Sequence, residues 1–224
     1  MSKSSNLILF LAIFIVAYSL NIFSQVLLTQ NLSPKEYGKL SSILAFIIII
    51  TSISSGFGIN DFLQNHLSKK KINFQNTLLK AYKIILIFFL STAIVSCLFF
   101  YFIIFNEINF LNFICIFMFL AGLSFFEISK SLLQIKNKLI EFAFLNLLLS
   151  LLRVSVIIIG IIFFYNYLSA EFFLIVFGFL GFILIFICIY YFIVFLKLIK
   201  NDKINKIVSY KYLIYNSSFF GLSA

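Results

Sequence analysis

Charge is scarce in this 224-residue chain: Asp, Glu, Lys and Arg together make up 11% of it, against 63% hydrophobic residues. A soluble domain carries about 25% charged and about 45–50% apolar residues. No soluble fold of this length has an interior large enough for the excess, so the bilayer must be the solvent for most of the chain. Cysteine is also sparse. Cys97, Cys115 and Cys188 all lie inside apolar runs and read as small core residues, not as a disulfide framework or a metal site. The single histidine, His66, has no partner at ligand spacing. Tryptophan is absent while phenylalanine reaches 33 residues. Together with the abundance of Ile, Lys and Asn, this points to an A+T-rich codon bias and not to an aromatic ligand site. No nucleophile–base pair, carboxylate pair or metal-ligand cluster is visible. Gly56-Phe57-Gly58 lacks the strand–helix setting of a phosphate-binding loop. Nothing in the sequence argues for an enzyme, a cofactor or a bound metal.

What remains is a series of long apolar runs. In lipid every backbone polar group must be satisfied internally, which leaves helices or closed barrels. Barrel strands alternate over ~10 residues, whereas these runs are continuous and about as long as a helix needs to cross ~30 Å of hydrocarbon. Six full spans are expected, near Leu7–Leu28, Leu40–Phe62, Ile84–Phe105, Phe110–Ile128, Phe142–Tyr165 and Phe172–Leu196, with the start of a seventh from Tyr212. The first is too long for a signal-peptide core and no small-residue cleavage site closes it, so it reads as an uncleaved span.

Positive loops stay in the cytoplasm. Fourteen lysines, from Lys3 through Lys69–Lys71, Lys80, Lys83, Lys130, Lys136 and Lys138 to the group Lys197–Lys211, fall on the side of the N-terminus. Only Lys35 and Lys39 fall opposite, and the other two loops on that side carry Glu107 and Glu171 with no base. The expected N-terminus is therefore cytoplasmic. Orientation accounts for the net charge of +10. Nothing is left over to indicate nucleic acid, and contact with anionic lipid headgroups at the cytoplasmic face is the modest further expectation.

The seventeenth base, Arg153, stands about eleven residues into the fifth run, about 17 Å deep at 1.5 Å per residue. Insertion there costs roughly 2.5–3.5 kcal/mol, and such residues face a bundle interior or a wet cavity. Asn146, Ser150, Arg153 and Gly160 share one helix face. That stripe is either a substrate site or a structural arginine satisfied by neighbouring carbonyls or a carboxylate. In the first run Tyr18, Asn21 and Gln25 share a face, with Ser24 beside them; they line a cavity or bond between helices. In the second, Thr51, Ser54, Gly58 and Asp61 align, with Gly56 and Gly58 permitting close approach. Asp61 is interfacial, or else a counter-ion or proton-coupling group. Glu127, three residues before Lys130, reads first as half of a helix-surface ion pair and second as a coupling group.

The stretch Leu27-Leu28-Thr29-Gln30-Asn31-Leu32-Ser33-Pro34-Lys35-Glu36-Tyr37-Gly38 resembles the Leu-Ser-Pro-x-x-Tyr-Gly turn that lipid-linked polysaccharide flippases place after their first span. These are the O-antigen and capsule-unit exporters of the multidrug/oligosaccharidyl-lipid/polysaccharide superfamily. Ser55-Gly56-Phe57-Gly58 and the polar, basic stretch Ser131–Lys138 resemble that family's second span and the connection after its fourth. The resemblance implies an all-α integral membrane fold with a MATE-like six-helix lobe over residues 1–206 and the start of a second lobe over 207–224. It implies a bacterial cytoplasmic-membrane protein that moves undecaprenyl-diphosphate-linked oligosaccharides between leaflets. The polymerase and glycosyltransferases of the same polysaccharide or lipopolysaccharide pathway would be its partners. Arg153 would then suit the diphosphate, since a guanidinium binds phosphate oxygens bidentately, and the polar groups of the first span would meet sugar hydroxyls. The family has twelve or more spans. The chain is therefore expected to be a fragment, the product of a truncated gene, or a half that pairs with a copy of itself. A drug exporter of the same superfamily and a non-catalytic envelope scaffold are the competing expectations; a polymerase or ligase would need a large outer loop bearing bases, and the outer loops are short. A reading frame continuing past codon 224 with six or more further spans would establish the fragment, and neighbouring glycosyltransferase genes the substrate class.

Overall fold

A computed structural model describes residues 3–54, 80–81, 83–84, 87, 89–92, 94–95, 110–135 and 138–199. Five long α-helices dominate it: α1 (Lys3–Asn31), α2 (Pro34–Ser54), α3 (Phe110–Ile135), α4 (Leu139–Phe163) and α5 (Ala170–Ile199). A short 3-10 turn, Tyr165–Tyr167, joins the last two. The described residues between 80 and 95 are also helical, and no strand occurs among the described residues. All five long helices are long and apolar enough to cross a membrane, which makes the chain an all-helical, multi-pass membrane protein. The expected third span, Ile84–Phe105, is described only in part. Gly56, Gly58, Asp61 and the run from Tyr212 lie outside the described residues.

The helix boundaries differ from the apolar runs in two informative places. The Ser33–Gly38 segment, expected as a turn, is already the start of α2. Ser33 is its N-cap, with Oγ accepting from the Glu36 N–H at 3.3 Å. Pro34 occupies the first helical position, where a missing N–H costs nothing. The Ser131–Lys138 stretch, expected as a connection, is helical through Ile135. Ser131, Leu132 and Leu133 are buried, and the Ser131 hydroxyl donates to the Ile128 carbonyl at 2.8 Å. Burial carried the helix past the point where the sequence turns polar.

The helices pack as two parallel pairs. α1 lies along α4, with Phe10 stacked on Phe142 at 6.4 Å between centroids. α3 lies along α5 over much of its length, and α2 packs against both. Phe119 stacks on Phe177 at 5.3 Å. This second seam is a backbone contact. A Cβ added to Gly178 would fall 2.6 Å from Cys115 Cβ, and one added to Gly122 would fall 2.6 Å from Gly181 Cα. A Cβ on Gly181 would run into the backbone of Met118 and Phe119. Small residues give membrane helices their close approach, because lipid offers no hydrophobic drive for helices to associate. The core is built mainly from α2, α3 and α5, with Leu28 of α1 and Leu145 and Ile157 of α4 joining it, and Phe126, Phe173 and Phe177 are its largest fully buried side chains. Residues such as Ile8, Ile15, Phe179 and Phe186 point outward, as lipid-facing positions require.

Gly181→Ala is expected to destabilise the bundle by about 1–3 kcal/mol, because the neighbouring backbone cannot yield. Gly38, with nothing within 4 Å of an added Cβ, is the control. Its change to Ala should leave stability equal or raised by about 0.5–1 kcal/mol, as read from thermal unfolding in detergent micelles.

Candidate functional site

The α1–α2 and α4–α5 turns meet at one end of the bundle. The N-cap motif Ser33-x-x-Glu36 ordinarily returns the Glu side chain to its own helix. Here Glu36 reaches across instead, and its Oε2 accepts the Ala170 N–H at 2.7 Å. It thereby caps α5, whose own N-cap Ser169 accepts from the Phe172 N–H at 3.2 Å. Beside it Lys39 pairs with Glu171 at 3.5 Å, both partly exposed. A carboxylate set against the first turns of two helices is favoured by both dipoles.

Immediately after Glu36 comes Tyr37, half-buried against the core. Its hydroxyl donates to Gln25 Oε1 on α1 at 3.4 Å. Arg153 stands opposite on α4, fourteen residues from Leu139 and ten from Phe163. That is about 15 Å from the end where the two turns meet. Its guanidinium carbon lies 5.6 Å from the Phe177 ring centroid on α5, a cation–π distance. Its Nε is buried and has no hydrogen-bond partner among the described residues.

The four described carboxylates are all occupied elsewhere. Glu36 caps α5 and Glu171 pairs with Lys39. Glu127 pairs with Lys130 at 2.6 Å, and Glu141 with Lys138 at 2.6 Å. Among the described residues, then, the guanidinium has an aromatic face, a buried Nε and no counter-anion. Burying an unpaired charge is expensive, and a guanidinium with a free in-plane donor suits a planar or tetrahedral oxyanion.

The other sequence candidates fall as follows. Asn146 and Ser150 lie on the same inward face as Arg153, but each donates to its own helix: Asn146 Nδ2 to the Phe142 carbonyl at 3.1 Å and Ser150 Oγ to the Asn146 carbonyl at 3.0 Å. Gly160 is buried, with the Phe172 ring 3.0 Å from an added Cβ. On α1 the predicted stripe divides. Gln25 meets Tyr37, Asn21 is half-buried, and Ser24 is fully buried with its hydroxyl on the Asn21 carbonyl at 2.7 Å. Tyr18 is 65% exposed, on the chain's surface. Thr51 is buried and bonds its hydroxyl to the Ile47 carbonyl at 2.7 Å. Glu127 takes the ion-pair geometry with Lys130. Asp61 lies outside the described residues. No group of three or more His, Cys, Asp and Glu that could hold a metal ion occurs among the described residues.

Sequence reasoning placed Tyr37 in a turn motif without a role, and passed over Glu36 and Phe177. The capping-box spacing Ser33…Glu36 was a usable signal that the segment is helical. Nothing local signals that Glu36 caps a helix 134 positions away.

Fold and site together define a helical multi-pass membrane protein with an arginine that, among the described residues, has no counter-anion. Comparison with protein-family models, with curated proteins and with solved structures gave no match.

Removing the α5 cap by Glu36→Ala is expected to cost about 0.5–2 kcal/mol. Lys39→Ala should cost under about 1 kcal/mol, because the pair it breaks is partly exposed. Equal losses for the two variants in thermal unfolding would contradict the cap.

Proposed function

We propose that this chain is the N-terminal lobe of a flippase that moves undecaprenyl-diphosphate-linked oligosaccharides across the bacterial cytoplasmic membrane, with Arg153 receiving the diphosphate. The observation that carries the reading is the buried Arg153 Nε, without a partner among the described residues, deep in an apolar helix. A midplane arginine is costly to insert. A permanent protein carboxylate would satisfy it at rest, whereas a passing anion satisfies it only when cargo is present. The Leu-Ser-Pro-x-x-Tyr-Gly resemblance supplies the substrate class, and its residues 32–38 form the α1–α2 junction, whose Tyr37 meets Gln25 on α1. The lysine distribution supports a cytoplasmic N-terminus. The diphosphate would then enter from the lysine-rich side and pass Arg153 on the way to the end where Glu36 caps α5.

The test is complementation of a strain lacking its oligosaccharide-lipid flippase, using this chain in its native gene context. At matched membrane levels, Arg153→Ala should reduce surface polysaccharide at least tenfold and leave lipid-linked units on the inner leaflet. Arg153→Lys should restore part of the export, since Lys keeps the charge but not the bidentate fork. Normal export by Arg153→Ala would overturn the reading.

A further inference from the structure

An aromatic tip stands at the end of the bundle where the α1–α2 and α4–α5 turns meet. Every side chain from Ile162 to Tyr167 is exposed there. Tyr165 is 69% exposed and Tyr167 is 74% exposed. The segment 162–169 holds no charged residue. The exposed side chains are graded along the chain. Ile159 and Ile162 of α4 are aliphatic, Phe163 and Phe164 follow, and the two phenols come last. The Lys39–Glu171 pair, partly exposed, stands at the same end. Aliphatic, then aromatic, then phenolic and charged is the order met on leaving the acyl chains for the headgroups. The far end of α5 repeats the signal. Tyr190 is 67% exposed and lies twenty residues from Ala170, the start of that helix. At 1.5 Å per residue the distance is about 30 Å, the thickness of the hydrocarbon core. Midway between them the exposed side chain is Phe179, with no polar atom. A protein partner would impose no such spacing, whereas a bilayer does.

We propose that the α4–α5 turn is a lipid-binding surface, with Tyr165 and Tyr167 seated at the headgroup–acyl boundary of one leaflet and Tyr190 at that of the other. Its partner is the glycerol–ester layer of a phospholipid. Each ring lies against the first methylenes of the acyl chains, and each hydroxyl donates to an ester carbonyl or to interfacial water. The turn carries no base, so its contact is with that layer and not with a headgroup charge. This inference stands apart from the reading of Arg153 and gives that residue a depth. Arg153 is ten residues from Phe163, the end of α4, which places it about 15 Å inside the level of the turn. Half of a ~30 Å hydrocarbon core is the midplane.

The chain has no tryptophan, so a single introduced one reports only its own surroundings. Tyr165→Trp, Tyr167→Trp, Tyr190→Trp and Phe179→Trp are each made in the full chain and reconstituted into phosphatidylcholine vesicles. The vesicles contain phosphatidylcholine brominated either close to the ester or close to the acyl-chain end. Bromine near the ester should quench the reporters at 165, 167 and 190 at least twofold more than bromine near the chain end. The reporter at 179 should show the reverse. Two positions on the turn keep the test decisive should one variant lower the yield of folded protein. Quenching of both turn reporters by aqueous iodide and not by brominated lipid would put the turn in water and overturn the proposal. Shielding of both from iodide and from bromine would show that protein covers the turn, from a second copy or another partner, and would overturn it equally. Stronger quenching of the turn reporters by bromine near the chain end would place them below the boundary, and the proposal falls.

Discussion

The close approach of α3 and α5 is the constraint on which the other arrangements depend. Gly122, Gly178 and Gly181 let the two backbones touch, and a parallel pair held that tightly becomes a rigid wall. Phe177 projects from that wall one residue before Gly178, and it stacks on Phe119 on one side while meeting the Arg153 guanidinium on the other. Were the seam opened by even one methyl group, the ring would move with its helix and the arginine would lose the aromatic face that partly offsets its burial. In lipid there is no hydrophobic drive to restore such a gap.

The second constraint is polar and lies at one end. Glu36 joins the start of α2 to the start of α5, and Ser33 and Ser169 complete the two N-terminal caps. Backbone N–H groups at helix ends must be satisfied, and near a membrane this is best done by protein. The economy is that one carboxylate serves two helix starts. The same junction carries Tyr37, whose hydroxyl reaches Gln25 on α1.

Much of this was legible in the sequence, and the limits are physical. Apolar runs of about 20 residues announce spans because hydrocarbon thickness demands them, and α1, α3, α4 and α5 contain the expected runs almost wholly. Where a helix continues into polar sequence, as at Ser131–Gln134, or begins in a proline motif, as at Pro34, the boundary is decided by burial and capping, which composition does not report. Arg153 stood out because one guanidinium among apolar residues is conspicuous. Its surroundings did not stand out: Phe177 is one of 33 phenylalanines. Tyr37 and Gln25 meet only after two helices fold back. The α1 stripe shows the limit of periodicity, since Gln25 turns to α2 whereas Tyr18, seven residues earlier, stays on the surface.

An anion site centred on Arg153 is the central claim, and photocrosslinking locates it most directly. A polyprenyl diphosphate carrying a diazirine beside its phosphates, irradiated with the protein in membranes, should label α4 and α5 around Arg153 and Phe177. The labelling should be competed by unmodified diphosphate. Labelling confined to the lysines at the helix ends, such as Lys130 and Lys138, would show that the diphosphate meets only surface charge and would contradict the account.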